Sequence, residues 1–115
     1  MKLINYKDVP AEKVTEPGAQ DVNIRWVISE KDKAPNFAMR VFEVNPGGFT
    51  PYHNHPWEHE VFIVNGVGVL ITEGKKRSPF KSGDVIFVPG GENHQFKNNS
   101  KDKLTFLCMI PIQKK

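Results

Sequence analysis

Residues 83–98 read GDVIFVPGGENHQFKN, and they give the clearest indication of the fold. A run of β-branched and aromatic residues at 84–88 is separated from a shorter run at 95–97 by the Pro-Gly-Gly turn of 89–91. Strand-forming residues bounded by glycine, proline and asparagine predict short strands joined by turns. A single histidine, His94, follows the turn and precedes the second strand.

The same alternation of apolar runs and turn residues continues through the chain, and helical periodicity is nearly absent. Many short strands without intervening helices predict an all-β fold, a sandwich or a barrel whose closure hides the strand edges. We expect residues 1–20 to form an irregular N-terminal arm and residues 21–115 to form one β-barrel domain. Turns are predicted at 45–48 and 73–74, and a tight hairpin at Asn65-Gly66 because both residues tolerate positive φ. Strands are predicted at 23–28, 37–44, 60–64, 67–72, 84–88, 95–97 and 104–110.

Composition limits the classes of protein to consider. The 115 residues suffice for one domain with one core, and the net charge of +3 comes from scattered basic residues. Nucleic-acid binding would need a continuous basic face, and no apolar run is long enough to cross a membrane, so neither partner is expected. The lone Cys108 cannot form an internal disulfide, and the N-terminus lacks an apolar signal core, so a cytoplasmic location is predicted.

The histidines are the strongest functional signal, because all four lie within one stretch, at His53, His55, His59 and His94. Neutral imidazole is the commonest protein ligand for transition metals. His53 and His55 are two residues apart, so in an extended strand both project from one face, and His94 joins them if its strand runs alongside. Chance placement in surface loops explains any one of them more easily than all four. The pattern predicts one metal site on two neighbouring β-hairpins.

Two spaced motifs surround these histidines. The first is a glycine six residues before a His-x-His pair, a third ligand position and a later glycine; the second is Gly-x5-Pro-x-Gly-x2-His-x3-Asn. In both motifs the sequence resembles the cupin superfamily. The resemblance implies a single-domain cupin fold, a jelly-roll-like β-barrel of antiparallel strands, with a metal ion at its mouth. The residues that match are Gly47, His53, His55 and Gly66, then Gly83, Pro89, Gly91, His94 and Asn98.

The third ligand is either His59 or Glu60. Many cupins place a glutamate at the position of Glu60, whereas His59 shares the parity of the first two histidines, and the prolyl residue at 56 leaves parity inconclusive. The string HPWEHE at 55–60, with PNF at 35–37, resembles a subgroup of small bacterial cupins with an all-histidine site. That resemblance favours His59 and implies a manganese ion. Imidazole also suits iron, nickel, copper and zinc, so the identity of the divalent ion stays open. The ligands that the resemblance implies are His53, His55, His59 and His94.

The candidates for a substrate pocket are Arg40, Trp57, Phe106, Cys108 and Ile110. The last three share one face of the final strand and line a cavity if that face points inward, with plain core packing as the alternative. Arg40 interrupts an apolar strand; periodicity favours an outward side chain, whereas an inward one would offer its guanidinium to a substrate anion. Trp57 lies on a loop between the histidines, where it packs under the site or presents its ring to a ligand.

A metal ion with open coordination positions beside an apolar cavity predicts a metal-dependent enzyme. The first hypothesis is a dioxygenase-like oxidoreductase that acts on a small chelating organic substrate. The alternatives are a non-redox isomerase or lyase and a stand-alone small-molecule binding module, because fold alone does not choose among them. The resemblance also implies a homodimer formed by N-terminal strand exchange, with Trp26 as a candidate interface residue.

Overall fold

The computed structural model describes residues 1–113 and confirms the all-β prediction. The strands form one curled antiparallel sheet, a half-barrel, in the order β6-β5-β8-β3-β9-β4-β7, with β2 on β3 and β1 on β2. Their bounds are β1 (Glu12–Lys13), β2 (Gln20–Ile28), β3 (Phe37–Phe49), β4 (His59–Asn65), β5 (Val67–Ile71), β6 (Arg77–Lys81), β7 (Val85–Val88), β8 (Gln95–Lys97) and β9 (Leu104–Pro111).

Helical structure in the described residues is limited to three short 3₁₀ segments, Tyr6–Asp8, Glu30–Asp32 and Glu73–Lys75. Ser29 begins the second with a capping box, in which its side chain accepts from Lys31 N and Asp32 accepts from Ser29 N. Within residues 1–113 no helix has the length and apolar character that crossing a membrane requires.

The concave side of the sheet holds the core. Alternate residues of the paired strands point inward, as the two-residue period of a strand requires, and Val44, Ile63 and Leu104 are completely buried. The floor of the half-barrel is aromatic, because the ring of Phe106 lies 5.0 Å from Phe42 and 4.8 Å from Phe96, centroid to centroid. Burial of such rings is a large part of what stabilises a small core.

The predicted turn at 45–48 is wrong, because β3 runs through it to Phe49. The strand bends at Gly47, whose φ is +80°, and Asn98 fastens the bend from the other motif. Gly47 N donates to the carbonyl of Asn98 (3.0 Å), Asn98 N donates to the carbonyl of Gly48 (2.9 Å), and the buried Asn98 Nδ2 donates to the carbonyl of Val44 (2.9 Å). The motif asparagine is therefore a structural residue that joins β3 to β8.

The predicted hairpin at Asn65-Gly66 is also wrong. β4 pairs with β7 and β9, whereas β5 pairs with β6 and β8, so the chain crosses from one part of the sheet to another at this point. Gly66 has φ +102°, and a Cβ there would lie 2.9 Å from the carbonyl oxygen of Lys103, so both the backbone conformation and close packing require glycine. The hairpin forms one strand later: β5 turns through Gly74 (φ +70°) into β6, a strand without a predicted counterpart.

Candidate metal centre

The four histidines come from separate segments and meet at one end of the concave face. His53 and His55 lie between β3 and β4, His59 is the first residue of β4, and His94 directly precedes β8. His53 and His94 form an isolated antiparallel bridge, with N–H···O distances of 3.2 and 2.9 Å. Five pairs of their rings have centroids between 4.4 and 6.3 Å apart.

Backbone packing holds the two loops against each other. Gly91 N donates to the carbonyl of His55 at 2.6 Å, and a Cβ added to Gly90 would lie 2.5 Å from the carbonyl oxygen of Pro56. No side chain fits between these loops at Gly90. The close approach brings the loop of His55 beside the loop that carries His94.

Two of the rings have one nitrogen already occupied. Nδ1 of His53 lies 2.8 Å from the carboxylate of Glu16, and Nδ1 of His94 lies 3.0 Å from the carbonyl of Glu92. Each contact requires a proton on Nδ1 when the ring is neutral, which leaves Nε2 as the nitrogen with a lone pair. Glu16 comes from the N-terminal arm, and no feature of its sequence neighbourhood predicts this role.

His59 is the most deeply perturbed of the four. Its side chain is 5% exposed, and its Nδ1 is a buried atom with no hydrogen-bond partner among the described residues. Burial, together with the nearby His94 and Arg40, lowers the pKa of His59 to about 3. Burial also lowers the pKa of His55 and of His94, so these three rings are neutral near pH 7.

The structure separates the two candidates for the third ligand position. The His59 ring lies inside, with its centroid 4.7 Å from that of His94 and 5.4 Å from that of His55. The Glu60 side chain is exposed on the opposite face of β4, in register with Phe87 and Met109.

As the side chains stand, no group of three or more His, Cys, Asp or Glu residues within residues 1–113 is arranged so that it could hold a metal ion. The spacing of the four rings can be compared with the spacing that imidazoles have around one ion. An imidazole bound at about 2.1 Å has its centroid about 3.2 Å from the ion, which puts rings at right angles about 4.5 Å apart and opposite rings about 6.4 Å apart. Five of the six ring pairs have centroid separations within this interval, from 4.4 to 6.3 Å. Their spacing is thus compatible with a common ion, although the side chains as they stand in residues 1–113 form no metal-binding group.

A cavity of about 240 Å³ opens beside the histidines. Of the predicted pocket residues, Arg40, Phe106 and Cys108 line it. Trp57 lies behind the site, stacked on His55 with centroids 4.5 Å apart and an interplanar angle of 4°. Ile110 lines a different hollow, of about 540 Å³, between the N-terminal arm and the end of β9. Trp26 borders both spaces.

The outward orientation that periodicity favoured for Arg40 is wrong. Its Nη2 donates to Sγ of Cys108 at 2.9 Å, and its guanidinium carbon lies 5.4 Å from the centroid of Trp26 and 5.0 Å from that of Phe42. The inward direction follows from the register, because Arg40 pairs with Cys108 on β9, whose side chain is buried. Cation–π attraction to these two rings compensates part of the desolvation of the charge.

Comparisons with known proteins agree with this architecture. The chain is similar to the polyketide cyclase RemF from Streptomyces resistomycificus, with 37% identity, a TM-score of 0.93 and coverage of 98% of this chain and 80% of that one. It is also similar to a predicted oxalate decarboxylase from Thermotoga maritima, with 26% identity, a TM-score of 0.85 and coverage of 97% and 100%.

A curated relative, the 1-methylthio-D-xylulose 5-phosphate methylsulfurylase of Rhodospirillum rubrum, is 34% identical over 76 residues, which make up 66% of this chain and 48% of that protein. The chain therefore spans about half the length of this relative. Residues 40–110 match the family described as cupin domain, and with the curled antiparallel sheet this match identifies the chain as a member of the cupin family.

Proposed function

We propose that His53, His55, His59 and His94 hold one divalent transition-metal ion. The observation that carries this proposal is the gathering of four rings, three of them kept neutral by burial, with five of their six centroid separations in the range that a common ion allows. Rotation of a histidine about its Cβ–Cγ bond redirects the nitrogens and leaves the ring centroid nearly in place, and this torsion is soft. Rotation of His55 and His59 is thus the small change that metal binding needs.

The unpartnered Nδ1 of His59 supports the same proposal. A buried imidazole nitrogen without a partner is unfavourable by about 1 to 3 kcal/mol, and coordination or a water on the ion relieves it. Glu16 on His53 resembles the carboxylate–histidine contact that orients metal ligands in other proteins. Manganese is the ion that we propose, from the resemblance to the all-histidine cupins, and iron, nickel, copper and zinc are the other candidates.

Elemental analysis of protein purified without added metal tests this site. We expect about one equivalent of a transition metal in the wild type, and in the Glu60→Ala variant, whose altered side chain is exposed. The His59→Ala variant should lose most of the metal. Full metal content in His59→Ala would remove this residue from the ligand set, and a metal-free wild type that does not take up manganese, iron or zinc would overturn the site.

We further propose that the protein is an enzyme acting on a small, metal-chelating organic substrate. The relatives reported above include a cyclase and a methylsulfurylase, and this chain has an apolar cavity next to the histidines. A bound divalent ion would supply Lewis acidity toward an oxygen of the substrate. The rings of Phe96 and Phe106 exclude water from the cavity floor, and Glu16 Oε2 accepts a hydrogen bond from Nδ1 of His53, which fixes the orientation of that ring.

Two reaction classes are compatible with this proposal. Similarity to a polyketide cyclase favours non-redox chemistry at a carbonyl or enol. The apolar aromatic lining favours the dioxygenase-like oxidoreductase, because an organic substrate and dioxygen could both bind there beside a redox-active ion. Protein loaded separately with zinc, manganese and iron distinguishes them when it is tested on a panel of chelating phenols and enols. Equal turnover with zinc supports the non-redox class, whereas dioxygen uptake with iron or manganese alone supports the oxidoreductase. Binding without turnover in all three forms would support a binding module.

We also propose a cytoplasmic homodimer in which residues 1–20 act as an arm and residues 21–115 as the barrel, the last two of which lie outside the described residues. In the single chain β1 pairs with Asn23 and Ile24 of β2, and Val14 N donates to the carbonyl of Val22, but within residues 1–113 no strand pairs with residues 25–28 on that edge, where a partner's strand could add. Trp26 lies on this open stretch and is 41% exposed. Native mass spectrometry at micromolar concentration tests the proposal, and a single monomeric species would end it.

A further inference from the structure

Arg40 is a cation in the cavity without an acidic partner. Its Nε is buried and has no hydrogen-bond partner among residues 1–113, and the ion pairs formed within these residues all use other groups. The one acidic side chain among the described residues that line the cavity is Glu16, which is hydrogen-bonded to His53. A charged donor that is removed from water and left unpaired is unfavourable, so an anion from outside would be bound there with a gain in free energy.

The contacts of Arg40 fix its position without neutralising its charge. Cys108 accepts from Nη2 through sulfur, a weak acceptor, and burial raises the pKa of this thiol, so that it stays uncharged. The rings of Trp26 and Phe42 lie beside the guanidinium and restrict its movement. Arg40 also lines the cavity, so a planar group of donors that suits a carboxylate is held at the cavity wall.

The register gives the distance that a ligand must span. Arg40 pairs with Cys108 on β9, Cys108 pairs with Val61 on β4, and His59 is two residues from Val61 on the same face. Strand and residue spacings place the Cα atoms of Arg40 and His59 about 12 Å apart along the sheet, and the two inward side chains occupy part of this length. The cavity between them, about 240 Å³, has room for about eight water molecules, which suits a compact organic molecule.

We propose that Arg40 forms a carboxylate-binding subsite, so that the substrate is a small organic acid with its carboxylate on Arg40 and a second oxygen directed at the four histidines. This inference rests on the proposed metal-dependent function and names its substrate class. The polar ends of such a molecule match the two polar ends of the cavity, and its hydrocarbon part lies against Phe42, Phe96 and Phe106. A neutral molecule of the same shape leaves the Arg40 charge uncompensated.

The probes for this subsite are benzoate and its neutral isostere benzamide, compared by isothermal titration calorimetry. We expect benzoate to bind wild-type protein at least tenfold more tightly than benzamide, with or without removal of metal by EDTA. Arg40→Gln should reduce this preference to less than twofold, and Arg40→Lys should keep part of it, because lysine retains the charge and loses the fork. Arg77→Gln, which removes an exposed arginine on β6, should behave as the wild type.

Thermal unfolding of each variant identifies any loss of binding that comes from misfolding, and Arg40→Lys serves as the second test if Arg40→Gln is unfolded. Equal affinity for benzoate and benzamide in the folded wild type, or an unchanged preference in folded Arg40→Gln, would overturn the subsite. Either result leaves the metal content as measured, so the metal proposal survives it. A wild-type protein that takes up no manganese, iron or zinc and still prefers benzoate through Arg40 would end the proposed function and retain the anion subsite.

Discussion

Replacement of Gly90 by alanine tests whether the two histidine loops meet as closely as the structure has them. The new Cβ would lie 2.5 Å from the carbonyl oxygen of Pro56 and 3.1 Å from its carbonyl carbon, both of them backbone atoms. Ordinary contact begins near 3.4 Å, so the loops must separate by about 0.9 Å. Overpacking of this kind destabilises a fold by about 1 to 3 kcal/mol. Because metal sites tolerate errors in ligand distance of only about 0.2 Å, we expect the manganese affinity to fall at least tenfold.

The matched control is Gly91→Ala. Gly91 has φ +84° and open space where a Cβ would stand, so this substitution strains the backbone without forcing the loops apart. Both variants should unfold at lower temperature than the wild type, and only Gly90→Ala should lose affinity for manganese beyond what its lower stability explains. The measurements are the unfolding temperature after EDTA treatment and a calorimetric titration with manganese. A Gly90→Ala protein with wild-type stability and affinity would refute the close approach of the two loops.

Three further predictions concern single groups of the site. Glu16→Gln weakens the orientation of His53 and should lower metal affinity about tenfold, with Glu12→Gln on the same arm as a control that leaves it unchanged in the same titration. In metal-free folded protein, His59 takes up a proton only near pH 3, whereas in the unfolded chain it takes one up near pH 6.5. The free energy of unfolding therefore decreases as the pH is lowered from about 6.5 to 3. His59 alone should lower the free energy of unfolding by about 2 kcal/mol between pH 7 and pH 5, and urea denaturation of His59→Gln with an equal loss would contradict this. Cys108 is 2% exposed and has a raised pKa, so less than a tenth of it should react with Ellman's reagent at pH 8 in the time that denatured protein reacts completely; rapid labelling of the native protein would contradict its burial.

The parts of the fold that the sequence predicts are those in which a local signal agrees with the tertiary structure. The run at 84–88 corresponds to β7, and the run at 95–97 corresponds to β8. The spacing of the histidines depends on strand parity and on turn glycines, both of which are visible in one dimension, and the structure brings the four rings together. The family follows from these motifs for the same reason.

The sequence predictions fail at residues whose structure depends on a partner far away in the sequence. Gly66 has the positive φ of a turn, yet the two strands that it joins pair with other strands, and Lys103 packs against it from a distant part of the sequence. Glu16 lies in a segment without strand or helix character, and its contact with His53 joins residues 37 positions apart. The β6 strand, RSPFK, contains a proline and a charge at each end, and it forms a strand because β5 pairs with it.

The net charge of the cavity indicates which charge its substrate should carry. The buried histidines contribute no charge near neutral pH, because burial lowers their pKa, so the charged side chains that line the cavity are Arg40 and Glu16, which carry opposite charges and form no ion pair with each other. A divalent ion on the histidines would therefore give the cavity a net charge of about +2, in an apolar space where charge is poorly screened. An ordinary neutral polyol would not reduce this charge, whereas a chelating carboxylate that ionises at its second oxygen supplies both negative charges, one at each end. The same balance implies that affinity for a carboxylate should rise when the metal is added to EDTA-treated protein and, with the metal kept saturating, should rise further in Glu16→Ala. An affinity for benzoate that stays constant through these changes would show that the two ends of the cavity act independently.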